Sequence, residues 1–222
     1  AATVEAMMVG SAPGREAERD TVARKLLTLL EPGQPDPVLY QGLRLLPIVA
    51  PQGFDFVQPI QPILVGTDTR AAEKARECLT LMATDSACDT MARAANAVNT
   101  PFAIALLDSV TMLRNPQSLD IVASYLSNLD PGIRVAAARA VAWSGNVKYA
   151  APLAEIIAKA TPETQAAAYD AQLRLADAII STGGNWDTGI SIYKQALANA
   201  PQATIRGVAM MGLGRFGDAT VI

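Results

Sequence analysis

Few residues in this chain are able to do chemistry, and histidine is not among them. That excludes a Ser-His-Asp or Cys-His arrangement and any His-liganded zinc or haem site. Two cysteines are too few for a four-thiolate metal site. Four short patterns remain. Gly212-x-Gly214-x-x-Gly217 spells a dinucleotide-binding fingerprint, but that chemistry needs a strand before the glycines, a helix after them and an acid about 20 residues on. Here a helical pattern precedes them and the chain ends at Ile222. The glycines are therefore expected to mark close packing and the stop of a helix. Asp187-Thr188-Gly189 spells the triplet of aspartic proteases, which need a second carboxylate sharing a proton within β-loops. There is one copy and it opens a helical pattern, so Asp187 or Thr188 is expected as an N-cap. Ser181-Thr182-Gly183-Gly184-Asn185 offers a phosphate cradle without the Lys that a P-loop requires, and reads as a hairpin turn. Asp85 and Asp89 supply only two carboxylates for calcium, without EF-hand spacing. The expectation is no catalytic residue, no cofactor and no metal.

Composition narrows the partners. Eighteen Lys+Arg against 21 Asp+Glu give a formal charge of -3. That offers no general attraction to nucleic acid, and with 5% aromatic residues there is no stacking platform for single strands. The longest charge-free stretch, Ala94 to Leu107, contains Pro101 and falls short of the roughly 20 apolar residues a membrane helix needs. No membrane insertion is expected. The chain opens on Ala1-Ala2 and not on Met, and so reads as a processed mature protein, periplasmic or secreted, or as a segment of a longer one. Cys78 and Cys88 stand either side of an expected helical turn. They are either a disulfide of an oxidising compartment or two small buried thiols. Met7-Met8 and Met210-Met211 are expected as core filler. Trp143 and Trp186 are candidate interface hot spots, with Trp143, near a helix end, expected to be partly buried between repeats.

The elements that must position all this are helices. The chain holds 41 alanines, and Ala is both the best helix former and small enough to let helix axes approach. Residues 130–159 make the clearest unit. Asp130 caps a helix whose first turn holds Pro131, where the missing N–H is harmless. Ile133, Ala137, Ala140 and Val141 recur at helical spacing, Gly145 stops the helix, and Leu153, Ile156 and Ile157 stripe a second one. The segment 101–128 repeats the plan with offsets of 30 residues in the first helix and 31 in the second. The segment 68–98 fits too, with helices expected over Arg70 to Met82 and Cys88 to Val98. Ile205-Arg206 echoes Ile133-Arg134. Residues 14–30 form an amphipathic helix for which Thr3 to Val9 is a possible partner, and Pro59 and Pro62 should shorten the second helix of 36–66. The expected architecture is all-α and a single domain. Its hairpins span 1–30, 36–66, 68–99, 101–128, 130–160 and 161–200, followed by a lone helix over 202–216.

Asp130-Pro131-x-Ile133-Arg134-x-Ala136-Ala137-Ala138-x-Ala140-Val141 resembles the first helix of a HEAT repeat, and Ile205-Arg206-x-x-Ala209-x-x-Gly212-Leu213 is a weaker second match. The stretch Trp186 to Pro201 is similar to a tetratricopeptide helix. The resemblance implies a right-handed α-solenoid of about six HEAT-like hairpins. Such a chain binds protein partners and carries no chemistry of its own, as in the repeat segments of large bacterial proteins. It implies structural roles for Asp130, Pro131, Arg134 and Arg206. It also implies a concave face lined by second helices, which singles out Arg93, Asp120, Ser124, Glu155 and Lys159 as partner-binding positions. A natural solenoid ends on a polar cap, so the apolar Thr220-Val221-Ile222 suggests further repeats or another subunit at that end. Two other readings follow from the same likeness: an accessory segment of a larger enzyme or cytochrome-type protein, and a HEAT-like DNA glycosylase. The latter needs a basic groove, whereas the 13 arginines here alternate with acids.

Overall fold

The structure is a computed structural model that describes residues 14–31, 33–51, 53–54, 56–183 and 185–216. Among these residues every regular element is helical. The chain divides into two compact units, Ala1–Asn99 and Thr100–Ile222.

In the first unit, α1 (Glu16–Leu27) runs on into a 3-10 turn at Thr28–Leu30. It is followed by α2 (Asp36–Val49), α3 (Val57–Leu64), α4 (Thr69–Met82) and α5 (Asp85–Ala94). Helix α1 lies on α2, α2 on α4, and α4 on both α3 and α5. Arg19 reaches across from α1 to donate from Nε to the Val49 carbonyl at 2.9 Å and from Nη2 to that of Ala50 at 3.2 Å. It thereby satisfies carbonyls that the end of α2 would otherwise leave bare. Helix α3 is only eight residues long and carries Pro62 inside it, the shortening that a missing N–H imposes. The second helix of the 68–98 hairpin starts at Asp85, three residues before the expected Cys88, because the Thr84 hydroxyl accepts from Ala87 N and caps it there. Cys78 and Cys88 are both buried and are not joined as a disulfide, and burial pushes the Cys78 thiol up to about 12. Residues 3–9, the possible partner of α1, lie outside the described residues.

The second unit contains α6 (Thr100–Leu113), α7 (Leu119–Ala123, between 3-10 turns at Pro116–Ser118 and Ser124–Ser127) and α8 (Pro131–Ala142). Then come a 3-10 turn at Val147–Tyr149, α9 (Ala150–Ala158), α10 (Pro162–Ser181), α11 (Trp186–Asn199) and α12 (Ala203–Arg215). Helix α8 sits between α6 and α10, α7 and α9 each pack on the helix that follows, and α10, α11 and α12 stack in order. Asp130 caps α8, accepting from Gly132 N at 2.8 Å and Ile133 N at 3.2 Å. Its other oxygen takes the Thr100 hydroxyl at 3.2 Å, tying α8 to the start of α6. At α11 the cap is Asn185, which accepts from Thr188 N; Asp187 and Thr188 instead occupy its first turn, since an Asx side chain one residue before the first apolar position already closes the end.

Left-handed residues occur at Gly14, Gly33, Gly53 (φ 79°), Ala83 (52°), Arg114 (51°), Gly145 (63°) and Gly183 (72°), the last five spaced by 30, 31, 31 and 38 residues. Immediately after two of these turns, Asn115 accepts from Gln117 N at 2.8 Å and Asn146 from Lys148 N at 3.1 Å. Each opens a 3-10 turn that precedes the second helix proper.

Candidate interaction groove

Two arginines 72 positions apart do the same thing. Arg134 Nη1 donates to the carbonyls of Asn128 (2.8 Å) and Leu129 (2.9 Å), and Arg206 Nη1 to those of Ala200 (2.7 Å) and Pro201 (2.8 Å). Each is the fourth helical residue or so of its helix, and each reaches back over the turn that leads into it. The turn before α8 is tightened further, because Asn128 accepts from Asp130 N at 2.9 Å. With the flanking polar groups used in the turn, Leu129 between them points outward and is 95% exposed. Such exposure of a large apolar side chain is informative where it adjoins other apolar surface.

It does so here. Leu129 lines a groove of about 650 Å³ within the second unit, formed by the end of the α7 segment, the turn before α8, and α9. Leu126, Pro152 and Ile156 supply apolar walls, while Arg134, Lys148, Lys159 and Glu155 supply charge. Tyr149 also lines it and is itself buried. Lys148 Nζ lies 5.0 Å from the centroid of that ring and 3.3 Å from Asp120 Oδ1. The neighbouring phenol and then the Asp120 carboxylate raise the Lys148 pKa. Lys159, just past the end of α9, donates to Glu155 one turn back at 2.5 Å and holds the Glu155 carboxyl below its ordinary value.

The five positions named for a concave face separate accordingly. Glu155 and Lys159 line the groove, and Asp120 stands at its edge through Lys148. Ser124 is exposed and spends its hydroxyl on the Ile121 carbonyl at 2.6 Å, within the bend between α7 and its 3-10 extension. Arg93 is exposed in the last turn of α5, in the other unit. Leu129, Lys148 and Tyr149 were not singled out by the sequence. The available signal was an apolar residue wedged between Asn128 and the Asp130-Pro131 cap, in a turn that should be polar.

The first unit has a groove of its own, about 830 Å³ between α2 and α4, more polar in character and lined by Asp36, Tyr40, Arg44, Arg70 and Glu77 among others. Arg70 lies over the Tyr40 ring at 4.9 Å, and the Tyr40 hydroxyl donates to Asp68 at 3.3 Å.

Where their residues are described, the sequence motifs fall within helices and turns. Gly212 is buried in α12, where a Cβ would run into the Tyr193 ring, whereas Gly214 faces open space; Gly217 lies outside the described residues. Met210 and Met211 are 53% and 73% exposed, not core filler, because α12 buries only Ala209, Gly212 and Leu213. Met7 and Met8 lie outside the described residues. Trp143 is half-buried at the end of α8. Trp186 is 47% exposed, edge-on to Phe216 at 5.6 Å. Among the described residues no three His, Cys, Asp or Glu side chains gather as a metal site would require, and no helix is long and apolar enough to cross a membrane. No protein-family model matches the chain, and no curated protein matches it either.

Proposed function

We propose that this chain is a non-catalytic protein–protein interaction module built from HEAT-like helical hairpins that wind as a right-handed solenoid. The observation that carries the functional part is the outward presentation of Leu129 by a turn clamped at two carbonyls, beside an apolar groove. Backbone already held in the turn loses little conformational entropy on binding, and the exposed leucine offers apolar area at once, the properties of an interface anchor. The repeat part is supported by the recurring left-handed turns, the paired Asn hinges and the two arginine clamps. Stacked hairpins bury both faces of each inner unit and leave their edges and second helices to meet partners.

The test is affinity purification of the full-length gene product from its native source, followed by mass spectrometry. A stoichiometric protein partner, depleted at least tenfold when Leu129→Ser replaces the wild-type chain, is the expected result. A product that runs alone, or one whose only activity resides in an appended catalytic module, overturns the reading.

A further inference from the structure

The geometry points to a specific occupant for the groove between α7 and α9: a short peptide segment that carries apolar side chains flanked by carboxylates. This rests on the interaction-module reading and adds the chemistry of the partner.

Charge makes the first argument. The chain as a whole is acidic, at -3, yet the groove lining holds Arg134, Lys148 and Lys159 against Glu155 alone. Cations concentrated in one concavity of an acidic protein attract an acid and repel a base locally, within a Debye length of about 8 Å at physiological salt. Both lysines sit on the open rim, with side chains 54% and 63% exposed. Their present carboxylate neighbours, Asp120 and Glu155, are themselves exposed, so these ion pairs are weak and exchangeable. An incoming carboxylate can take over either lysine at little cost.

Shape and polarity make the second. The walls between the lysines are Leu126, Pro152 and Ile156, with Leu129 at the lip, a set that accepts one or two aliphatic side chains and rejects a uniformly polar segment. A carboxylate-bearing peptide satisfies both features together, whereas a basic peptide meets Lys148 and Lys159 unfavourably.

The experiment is a titration of the ¹⁵N-labelled chain with the acetylated, amidated hexapeptide Glu-Asp-Leu-Leu-Asp-Glu, followed by amide chemical shifts. Lys-Lys-Leu-Leu-Lys-Lys and Glu-Asp-Ser-Ser-Asp-Glu serve as comparison peptides, and the chain is used as wild type, Leu129→Ser and Lys148→Glu/Lys159→Glu. All three substituted positions are exposed, and circular dichroism checks that the variants fold. The expected result is saturable binding of the acidic leucine peptide alone, with shifts at Ala123, Leu126 and Ile156. Affinity should fall at least tenfold in either variant and decline as salt is raised. Equal binding of the basic peptide overturns the assignment. So do retention of affinity in the double lysine variant, shifts centred on α2 and α4, and silence at about 1 mM peptide, the weak end of specific recognition. The two readings fail separately. A native partner that still co-purifies with the lysine variant removes the groove assignment and keeps the module. The absence of any partner removes the module, whatever the peptide does.

Discussion

Positions 114 and 145 each end a helix in the left-handed conformation, one filled by Arg and the other by Gly. The same kind of perturbation should therefore act with opposite sign at the two. In Gly145→Ala the new Cβ inherits φ 63° and also meets the Ala178 carbonyl, at 2.8 Å from its oxygen and 2.9 Å from its carbon. The left-handed conformation costs an L-residue about 1–2 kcal/mol, and an added methyl group forced against rigid backbone a further 1–3 kcal/mol. The expected destabilisation is about 2–5 kcal/mol. In Arg114→Gly the left-handed penalty is relieved while some unfolded-chain entropy is gained, for a net stabilisation of about 0.5–1 kcal/mol. Urea unfolding followed by tryptophan fluorescence reads both, because the only two tryptophans, Trp143 and Trp186, lie in the same unit as the substitutions. With a slope of about 1–3 kcal/mol per molar urea, the Gly145→Ala midpoint should drop by about 0.7 M or more. Equal shifts at the two positions, or a Gly145→Ala midpoint within error of wild type, would refute the claim that the close approach of α10 to this turn sets the requirement for glycine.

Asp130→Ala removes both cap bonds of α8 and the link to Thr100; a loss of about 1–2 kcal/mol is expected by the same fluorescence assay. In α12, Gly212→Ala forces the Tyr193 ring to move and should lower the midpoint, whereas Gly207→Ala, with nothing within 4 Å of the added atom, should raise it by up to about 1 kcal/mol through helix propensity. Burial pushes the Cys78 thiol up to about 12, against roughly 8.5 in an unfolded chain. The native state therefore keeps a proton that the unfolded state has already released. The stability this provides is complete below about pH 8.5 and is lost as pH rises toward 12, at up to about 1.4 kcal/mol per pH unit. Chemical unfolding across that range, compared between wild type and Cys78→Ala, should show the steeper alkaline decline only in wild type.

Where a single residue type has one physical use, the sequence was readable. Asp130-Pro131 could start a helix and do little else, and the α8 cap is formed by that side chain. Pro59 and Pro62 left room for only a short α3. The left-handed turns at Gly53, Ala83, Arg114 and Gly145 are spaced by 30 to 31 residues. Other features depend on energies that no local pattern carries. Ala83 and Arg114 take the left-handed conformation without glycine, because the packing of the flanking helices outweighs a penalty of about 1 kcal/mol. Asn185 competes with Asp187 and Thr188 for one helix end, and the position nearest the turn wins. The outward faces of Met210 and Met211 follow from α12 having neighbours on one side only among the described helices. At the groove, Glu155 and Lys159 came from the family resemblance, as polar positions of a second helix. Leu129, Lys148 and Tyr149 were not legible, since they converge from a turn and a 3-10 segment whose paths are set by side-chain caps.

Helix α8 buries four consecutive residues, Val135, Ala136, Ala137 and Ala138. At about 100° per residue these span the whole circumference of the helix, so α8 has no side that faces water over that turn. Its amide protons then have no local route to solvent. They are exposed only when α6, α10 and the α7 and α9 segments separate from it, which amounts to opening the unit. In time rather than energy, α8 is the slowest clock in its half of the chain: hydrogen exchange there should proceed at the rate of global opening, while α12, bare on one face, exchanges long before.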